Sequence, residues 1–177
     1  MGYGEKELAA SLPIAEALER NPSFRRWFLE HTEFAHSAGT ARLLNDEMRA
    51  LRSKRASTWW RSHYTDSCRC LGCRGQETDL LAIFECADST RFAVHIEVKH
   101  AGDSFKDNGS QAEAYPIRAL CWAGRPPKNI LPHSKATTVL LCSAIRLRDY
   151  LKHSQHFGAV VTFESIESAF PGLTGLL

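Results

Sequence analysis

The segment Gly75–Lys99, GQETDLLAIFECADSTRFAVHIEVK, contains two apolar runs separated by a short polar spacer. The runs, Leu80–Phe84 and Phe92–Val98, are rich in Leu, Ile, Val and Phe and contain neither Gly nor Pro. That composition predicts the two strands of a β-hairpin. Because strands this apolar are typical of positions covered on both faces, we expect the hairpin to be buried.

Charged residues lie at one end of this hairpin. Asp79 opens the first strand, and Glu97 and Lys99 share one face near the end of the second because they are two residues apart. In an antiparallel pair the start of one strand lies near the end of the other, so Asp79 can face both. The alternative is a surface hairpin with a cross-strand Glu/Lys network. Charges in buried strands are costly unless they are paired or bound to a metal, and this favours a metal site.

Two converging carboxylates form the hard-oxygen environment that Mg²⁺ or Mn²⁺ prefers. Asp79 followed by Glu97-Val98-Lys99 after a hairpin resembles the PD-(D/E)XK nuclease superfamily, and Glu77–Leu81 is similar to its first acidic strand. The proline of the family's name is absent here. The resemblance implies hydrolysis of DNA phosphodiester bonds, with Asp79, Glu97 and the Val98 carbonyl binding the metal. Lys99 is expected to position the attacking water.

An N-terminal helix in this superfamily often supplies one more acid. Residues 41–54 predict a helix with an apolar stripe that includes Leu43 and Leu51, and Glu47 lies within that stripe. We therefore match Glu47 to the additional metal ligand. The alternative is that Glu47 pairs with an arginine such as Arg118 or borders the core.

A second helix is predicted from the capping box Ser110–Glu113. Gln111 and Tyr115 are four residues apart and share a face of it. Gln-x-x-x-Tyr after the Glu-x-Lys strand resembles the RecB-like and lambda-exonuclease-like branch, in which both residues hold the substrate near the metal. Pro116 departs from that pattern and predicts a kinked or shortened helix. Alternatively, Tyr115 packs in the core and Gln111 only caps the helix.

Basic residues dominate segments 42–74 and 118–152, and acidic residues dominate 77–97. An acidic centre between basic segments fits a metal site beneath a polyanion, although solvated helix faces give the same pattern. Arg61 lies among aromatic residues in a predicted strand over 61–65, and His100 adjoins the strand end. We expect both to contact DNA, or else to be solvated or structural.

Three cysteines, Cys68, Cys70 and Cys73, fall within six residues and can bind structural zinc. A fourth ligand would come from His63, Cys86 or elsewhere. The alternative is a loop with free thiols. The remaining cysteines lie in apolar segments that predict core positions.

The chain of 177 residues predicts one domain, 1–177, with an N-terminal helical extension over 1–39 and a core over 40–177. The predicted class is α/β: a restriction-endonuclease-like mixed sheet with α-β-β-β-α-β order, flanked by helices. Further helices are predicted at 5–18, 23–34, 146–156 and 166–170, and further strands at 137–143 and 158–163.

The composition also bounds location and partners. No run approaches the roughly 20 apolar residues of a membrane span, and the N-terminus lacks a signal-peptide core, so we expect a cytoplasmic protein without membrane contact. High sequence specificity would need a homodimer or another partner, because no target-recognition domain is evident. Endonuclease and exonuclease action stay open. The rival function is a non-catalytic nucleic-acid-binding or assembly protein with a zinc-binding Cys68–Cys73 loop.

Overall fold

The computed structural model describes residues 3–52, 58–63, 68–105 and 110–175. The helices are α1 (Tyr3–Arg20), α2 (Pro22–Glu30), α3 (Asn45–Leu51), α4 (Ser110–Gly124), α5 (Leu151–Ser154) and α6 (Phe163–Ala169). The strands are β1 (Arg42–Leu43), β2 (Arg61–His63), β3 (Thr78–Glu85), β4 (Arg91–Lys99), β5 (Lys135–Cys142) and β6 (Ala159–Thr162). The predicted continuation of β2 over 64–65 lies outside the described residues.

The predicted hairpin is confirmed as β3 and β4, which pair antiparallel from Leu80 opposite Ile96 to Glu85 opposite Arg91. β5 runs parallel to β4, and β6 runs parallel to β5. On the other side, β1 and β2 both pair antiparallel with β3. The chain is therefore an α/β protein with a mixed sheet, and the hairpin lies inside that sheet.

The hairpin is covered on both sides, which explains its continuous apolar sequence. Every residue of β3 from Thr78 to Phe84 is buried, as is every residue of β4 from Phe92 to Lys99. Helix α1 contacts β3 and β4, and α4 contacts β4 and β5. Side chains from α1 and α2 share one hydrophobic core with the sheet, so residues 3–30 are packed into the body of the fold.

Two predicted helices differ in the structure. Residues 41–52 do not form one helix, because the Leu44 N–H donates to the Ile83 carbonyl at 2.9 Å and draws β1 onto the edge of β3. Residues 53–54 of the prediction lie outside the described residues. Among residues 41–52 only α3 is helical, and Leu51 is 42% exposed. The predicted helix over 146–156 is reduced to a 3₁₀ turn at Ala144–Arg146 and the single turn of α5.

Helix α4 runs unbroken through Pro116, so the expected shortening of this helix is wrong. None of the described helices has the length and apolar character needed to cross a bilayer.

Candidate active site

A cavity of about 420 Å³ opens at the end of the hairpin where β3 begins and β4 ends. Its walls come from α1, the loop before β3, both hairpin strands, the segment after β4 and the start of α4. The lining residues are Glu7, Gly75, Gln76, Glu77, Asp79, Glu97, Val98, Lys99, Asp103, Ser104 and Gln111. Five carboxylates and one lysine face the same cavity, so its field favours a cation.

Asp79 is held in place from two directions. Its Oδ2 accepts a hydrogen bond from the Val98 N–H at 2.9 Å, and its own N–H donates to the Tyr115 hydroxyl at 3.3 Å. Burial raises the pKa of the Asp79 carboxyl, and the nearby charges of Glu97 and Glu7 raise that pKa further. A bound cation would offset both effects and favour the charged carboxylate.

Glu97, Lys99 and Gln111 form a closed network beside Asp79. The Lys99 ammonium lies 2.7 Å from Glu97 Oε1, 3.1 Å from Asp103 Oδ2 and 3.2 Å from Gln111 Oε1. The Gln111 amide donates to the same Glu97 oxygen at 2.8 Å. Burial alone would lower the pKa of Lys99, but Glu97 and Asp103 outweigh it and raise that pKa. Lys99 is consequently a fixed positive charge at neutral pH.

The second oxygen of Glu97 is the exception in this network. Glu97 is 1% exposed, and its Oε2 receives no hydrogen bond from the described residues. Buried carboxylate oxygens are normally satisfied, and leaving one unpaired is costly. A cation or a water bound in the cavity that Glu97 lines would satisfy this oxygen.

Glu7 and Glu77 add negative charge next to Asp79. Each of these three residues offers an oxygen atom within 4.8 Å of those of the other two. Burial raises the pKa of the Glu7 carboxyl, the charge of Glu77 raises it further, and Arg61 opposes the shift. A divalent cation would relieve this repulsion, so the donor set fits a hard metal ion.

The structure thus brings together Asp79, Glu97, Lys99 and Gln111, with Val98 in the cavity wall. It does not bring Glu47 there. Glu47 Oε1 accepts from Arg42 at 2.8 Å, next to Glu85 at the opposite end of the hairpin.

The assignment of Glu47 needs correction for a physical reason. Leu43 belongs to β1 and Leu51 is exposed, so the apolar stripe on which the assignment depended does not exist. The carboxylate that an N-terminal helix does supply to the cavity is Glu7.

The three other residues predicted to contact the substrate, Arg61, Tyr115 and His100, lie in different surroundings. Arg61 lies in β2 opposite Leu80, and its Nη2 donates to the Gly4 carbonyl at 3.2 Å, close to Glu7. Tyr115 is buried behind Asp79, so it supports that residue from below the cavity and does not face it. The His100 ring accepts a hydrogen bond from the Gly102 N–H at 3.2 Å.

Two functional candidates escaped the sequence prediction, Glu7 and Cys121. Glu7 had a recognisable signal, since it precedes Ala10, Ile14 and Leu18 at spacings of one helix face, and all three are buried. Cys121 had none, because its neighbours are far away in sequence.

A second cluster lies on the loop before β3 and on α4. The sulfur atoms of Cys68, Cys70, Cys73 and Cys121 all lie within 4.8 Å of one another and can hold a metal ion such as zinc. The fourth position is filled from α4. Neither earlier candidate supplies it: the His63 ring bonds to the Trp59 carbonyl and to Arg52, and the Cys86 thiol to Ser37.

Comparisons of this chain with protein-family models, with curated proteins and with solved structures give no match.

Proposed function

We propose that this chain is a metal-dependent nuclease with a restriction-endonuclease-like fold, hydrolysing phosphodiester bonds in DNA. The observation that carries the proposal is the buried Glu97–Lys99–Gln111 network in an acidic cavity next to Asp79, in which one Glu97 oxygen receives no hydrogen bond from the described part of the chain. The element order fits as well, since the hairpin is followed by a helix and two parallel strands.

In this proposal Asp79 and Glu97 hold Mg²⁺ or Mn²⁺, with the Val98 carbonyl as a further ligand. Glu7 takes the place proposed for the acid of the N-terminal helix. The bound ion would polarise a phosphoryl oxygen and lower the pKa of a coordinated water. The Val98 N–H keeps the Asp79 carboxylate oriented toward Glu97.

Lys99 has a role that its charge restricts. Its raised pKa keeps the ammonium protonated, so it cannot accept a proton from water as a general base. It instead stabilises charge on the phosphate, and it orients the attacking water by exchanging one of its three present hydrogen bonds for one to that water. Gln111 holds both Lys99 and Glu97 and thereby fixes their separation.

The test is a cleavage assay on linear and circular DNA with Mg²⁺, Mn²⁺ or EDTA, using wild type and Lys99→Ala. Arg91→Ala is the matched control, because Arg91 lies at the other end of the same strand and pairs with Glu85 at 2.7 Å. We expect cleavage by wild type and Arg91→Ala with metal only, and a loss in Lys99→Ala. Cleaved circles indicate an endonuclease, and cleavage from ends only an exonuclease.

Metal-independent cleavage, or equal rates for wild type and Lys99→Ala, would contradict the proposal. RNA of the same sequence serves as a parallel substrate and decides which sugar the enzyme accepts.

A second function is favoured by the four-cysteine cluster: a non-catalytic nucleic-acid-binding or assembly protein on the same fold. It predicts DNA affinity with metal on the thiols and no Mg²⁺-dependent cleavage. Electrophoretic mobility shifts beside the cleavage assay separate the two functions.

A further inference from the structure

We propose that Cys68, Cys70, Cys73 and Cys121 bind a single zinc ion in a tetrahedral site. We further propose that this ion fixes the loop before β3 against α4, so that Asp79 and Gln111 meet correctly. The second part rests on the proposed nuclease function, whereas the first part does not.

The sulfur positions fit one ion. Zn–S bonds of about 2.3 Å give a tetrahedron whose sulfur–sulfur edges are about 3.8 Å. The Cys68 and Cys121 sulfurs are 3.6 Å apart, and all four lie within 4.8 Å of one another. A disulfide needs about 2.05 Å, so these residues converge on a common centre and do not form pairs. A polynuclear cluster would hold its sulfurs further apart around several metal atoms.

Apolar side chains surround part of this centre. Cys73 is buried, the other three thiols are partly buried, and apolar neighbours pack around the group.

The backbone next to the cluster is shaped for contact with α4. A side chain at Gly72 would place its Cβ 2.4 Å from the backbone nitrogen of Arg118 and 2.7 Å from the carbonyl oxygen of Ala114. Only glycine permits this approach. Arg118 is fully buried and donates to the Gly72 carbonyl at 2.7 Å and to the Thr78 hydroxyl at 2.9 Å.

Helix α4 consequently links the cluster to the cavity. Gln111 lies in its first turn within the Glu97–Lys99 network, Tyr115 contacts the Asp79 backbone, and Cys121 lies ten residues beyond Gln111, about 15 Å along the axis. The loop that carries Cys73 continues into Gly75–Glu77, which line the cavity. An ion joining Cys73 to Cys121 therefore holds both walls of the site together.

The first experiment measures metal content by plasma mass spectrometry on the full chain, purified with reductant and without added chelator. We expect one zinc per chain in wild type and in the control Cys86→Ser, and less than a tenth of that in Cys121→Ser and Cys70→Ser. Cobalt-reconstituted wild type should show the thiolate charge-transfer bands of tetrahedral Co²⁺. If Cys121→Ser does not fold, Cys121→His keeps a zinc ligand in place and should retain the ion.

Four results would each overturn the zinc site. They are wild type without zinc, wild type with equimolar iron, a Cys68–Cys121 disulfide that persists in the presence of reductant, and full zinc in Cys121→Ser. These readouts do not depend on cleavage, so an inactive protein loaded with zinc refutes the nuclease and leaves the zinc site standing. An active protein without zinc refutes the zinc site and leaves the proposed nuclease function standing.

The positioning role is tested by the Mg²⁺ concentration that gives half-maximal cleavage, at a temperature where wild type and Cys121→Ser are both folded. We expect about a tenfold higher requirement in Cys121→Ser and no change in Cys86→Ser, as for residues that orient metal ligands from outside. An unchanged requirement would limit the ion to a stabilising role and overturn the second part of the proposal.

Discussion

Both ends of the β3–β4 hairpin carry acidic and basic side chains, but the two ends differ in how these side chains are paired and buried. At the turn end, Glu85 accepts from Arg91 at 2.7 Å and from Arg42 at 3.1 Å, and Arg42 also binds Glu47. These ion pairs are partly or fully solvated. At the other end, Asp79 and Glu97 are buried, and a single lysine is shared by several carboxylates.

The difference teaches that a candidate site is marked by carboxylates that lack a neighbouring positive charge, and not by the number of carboxylates. The arginines hold the pKa of Glu85 and Glu47 below the ordinary value, since each carboxylate has a partner. Burial and neighbouring acids raise the pKa of Asp79. A carboxyl perturbed in this way in a cavity is a candidate for a functional site, and a bound cation would balance its charge.

The largest expected effect comes from neutralising one acid at each end. Glu97→Gln should lower Mg²⁺-dependent cleavage by about 10³-fold, because it removes a proposed metal ligand and the charge that holds Lys99. Glu85→Gln should leave the rate within about twofold, since Glu85 lies outside the cavity. Steady-state cleavage rates at saturating Mg²⁺ measure both. Equal losses in the two variants would show that the ends do not differ functionally.

The next effect is on metal affinity. Asp79 with a raised pKa must lose its proton before it binds Mg²⁺, so the apparent affinity should increase with pH by up to about tenfold per pH unit. The increase should level off above the raised pKa of Asp79. Isothermal titration of the DNA-free wild type with Mg²⁺ across a pH series measures it. A flat pH profile would contradict the shifted pKa.

A smaller effect concerns the backbone that supports the buried end. Gly72→Ala should destabilise the fold by about 2 kcal/mol, or about 4–8 °C in Tm, because the added methyl group meets the backbone of α4. Gly39→Ala is the matched control, since no atom of the described segments lies within 4 Å of its Cβ position. Thermal denaturation of both variants measures this difference. Equal melting temperatures would show that the loop carrying Gly72 moves away from α4 at no cost in stability.

The parts that the sequence predicted correctly depend on local patterns. Two apolar runs without Gly or Pro predict a buried hairpin because burial on both faces selects such residues directly. Strand alternation then places Glu97 and Lys99 on one face, and antiparallel pairing brings Asp79 to them. Each step needs only neighbours along the chain or across one turn.

The parts that failed depend on tertiary contacts. A helix over 41–54 is predicted from the spacing of apolar residues alone. In the structure, Arg42–Leu43 instead pair as a strand with the edge of β3. Glu7 reaches the cavity only because α1 packs on the hairpin. Cys121 joins the other thiols only because Gly72 lets the loop approach α4. Local spacing places Glu7 on the buried face of α1, but it does not say which element any of these residues will contact.

The smallest effects have opposite signs at the two ends. Because the folded-state pKa of Asp79 is raised, the folded protein holds this proton more tightly than the unfolded chain does. Stability therefore falls as pH rises from the ordinary aspartate pKa toward the raised one. Asp79→Asn should accordingly increase the Tm of the metal-free protein at neutral pH, by about 2–4 °C per kcal/mol of relieved repulsion.

Glu85 has the reverse linkage, since its pKa is lowered by Arg91 and Arg42. Its contribution is present above the ordinary glutamate pKa and is lost in acid, so Glu85→Gln should slightly decrease the Tm at neutral pH. Scanning calorimetry in EDTA at neutral and acid pH measures both signs. Addition of Mg²⁺ should then raise the Tm of wild type and of Glu85→Gln but not that of Asp79→Asn. If Asp79→Asn lowered the metal-free Tm instead, the carboxylate would already be compensated, and the contrast between the two ends would disappear.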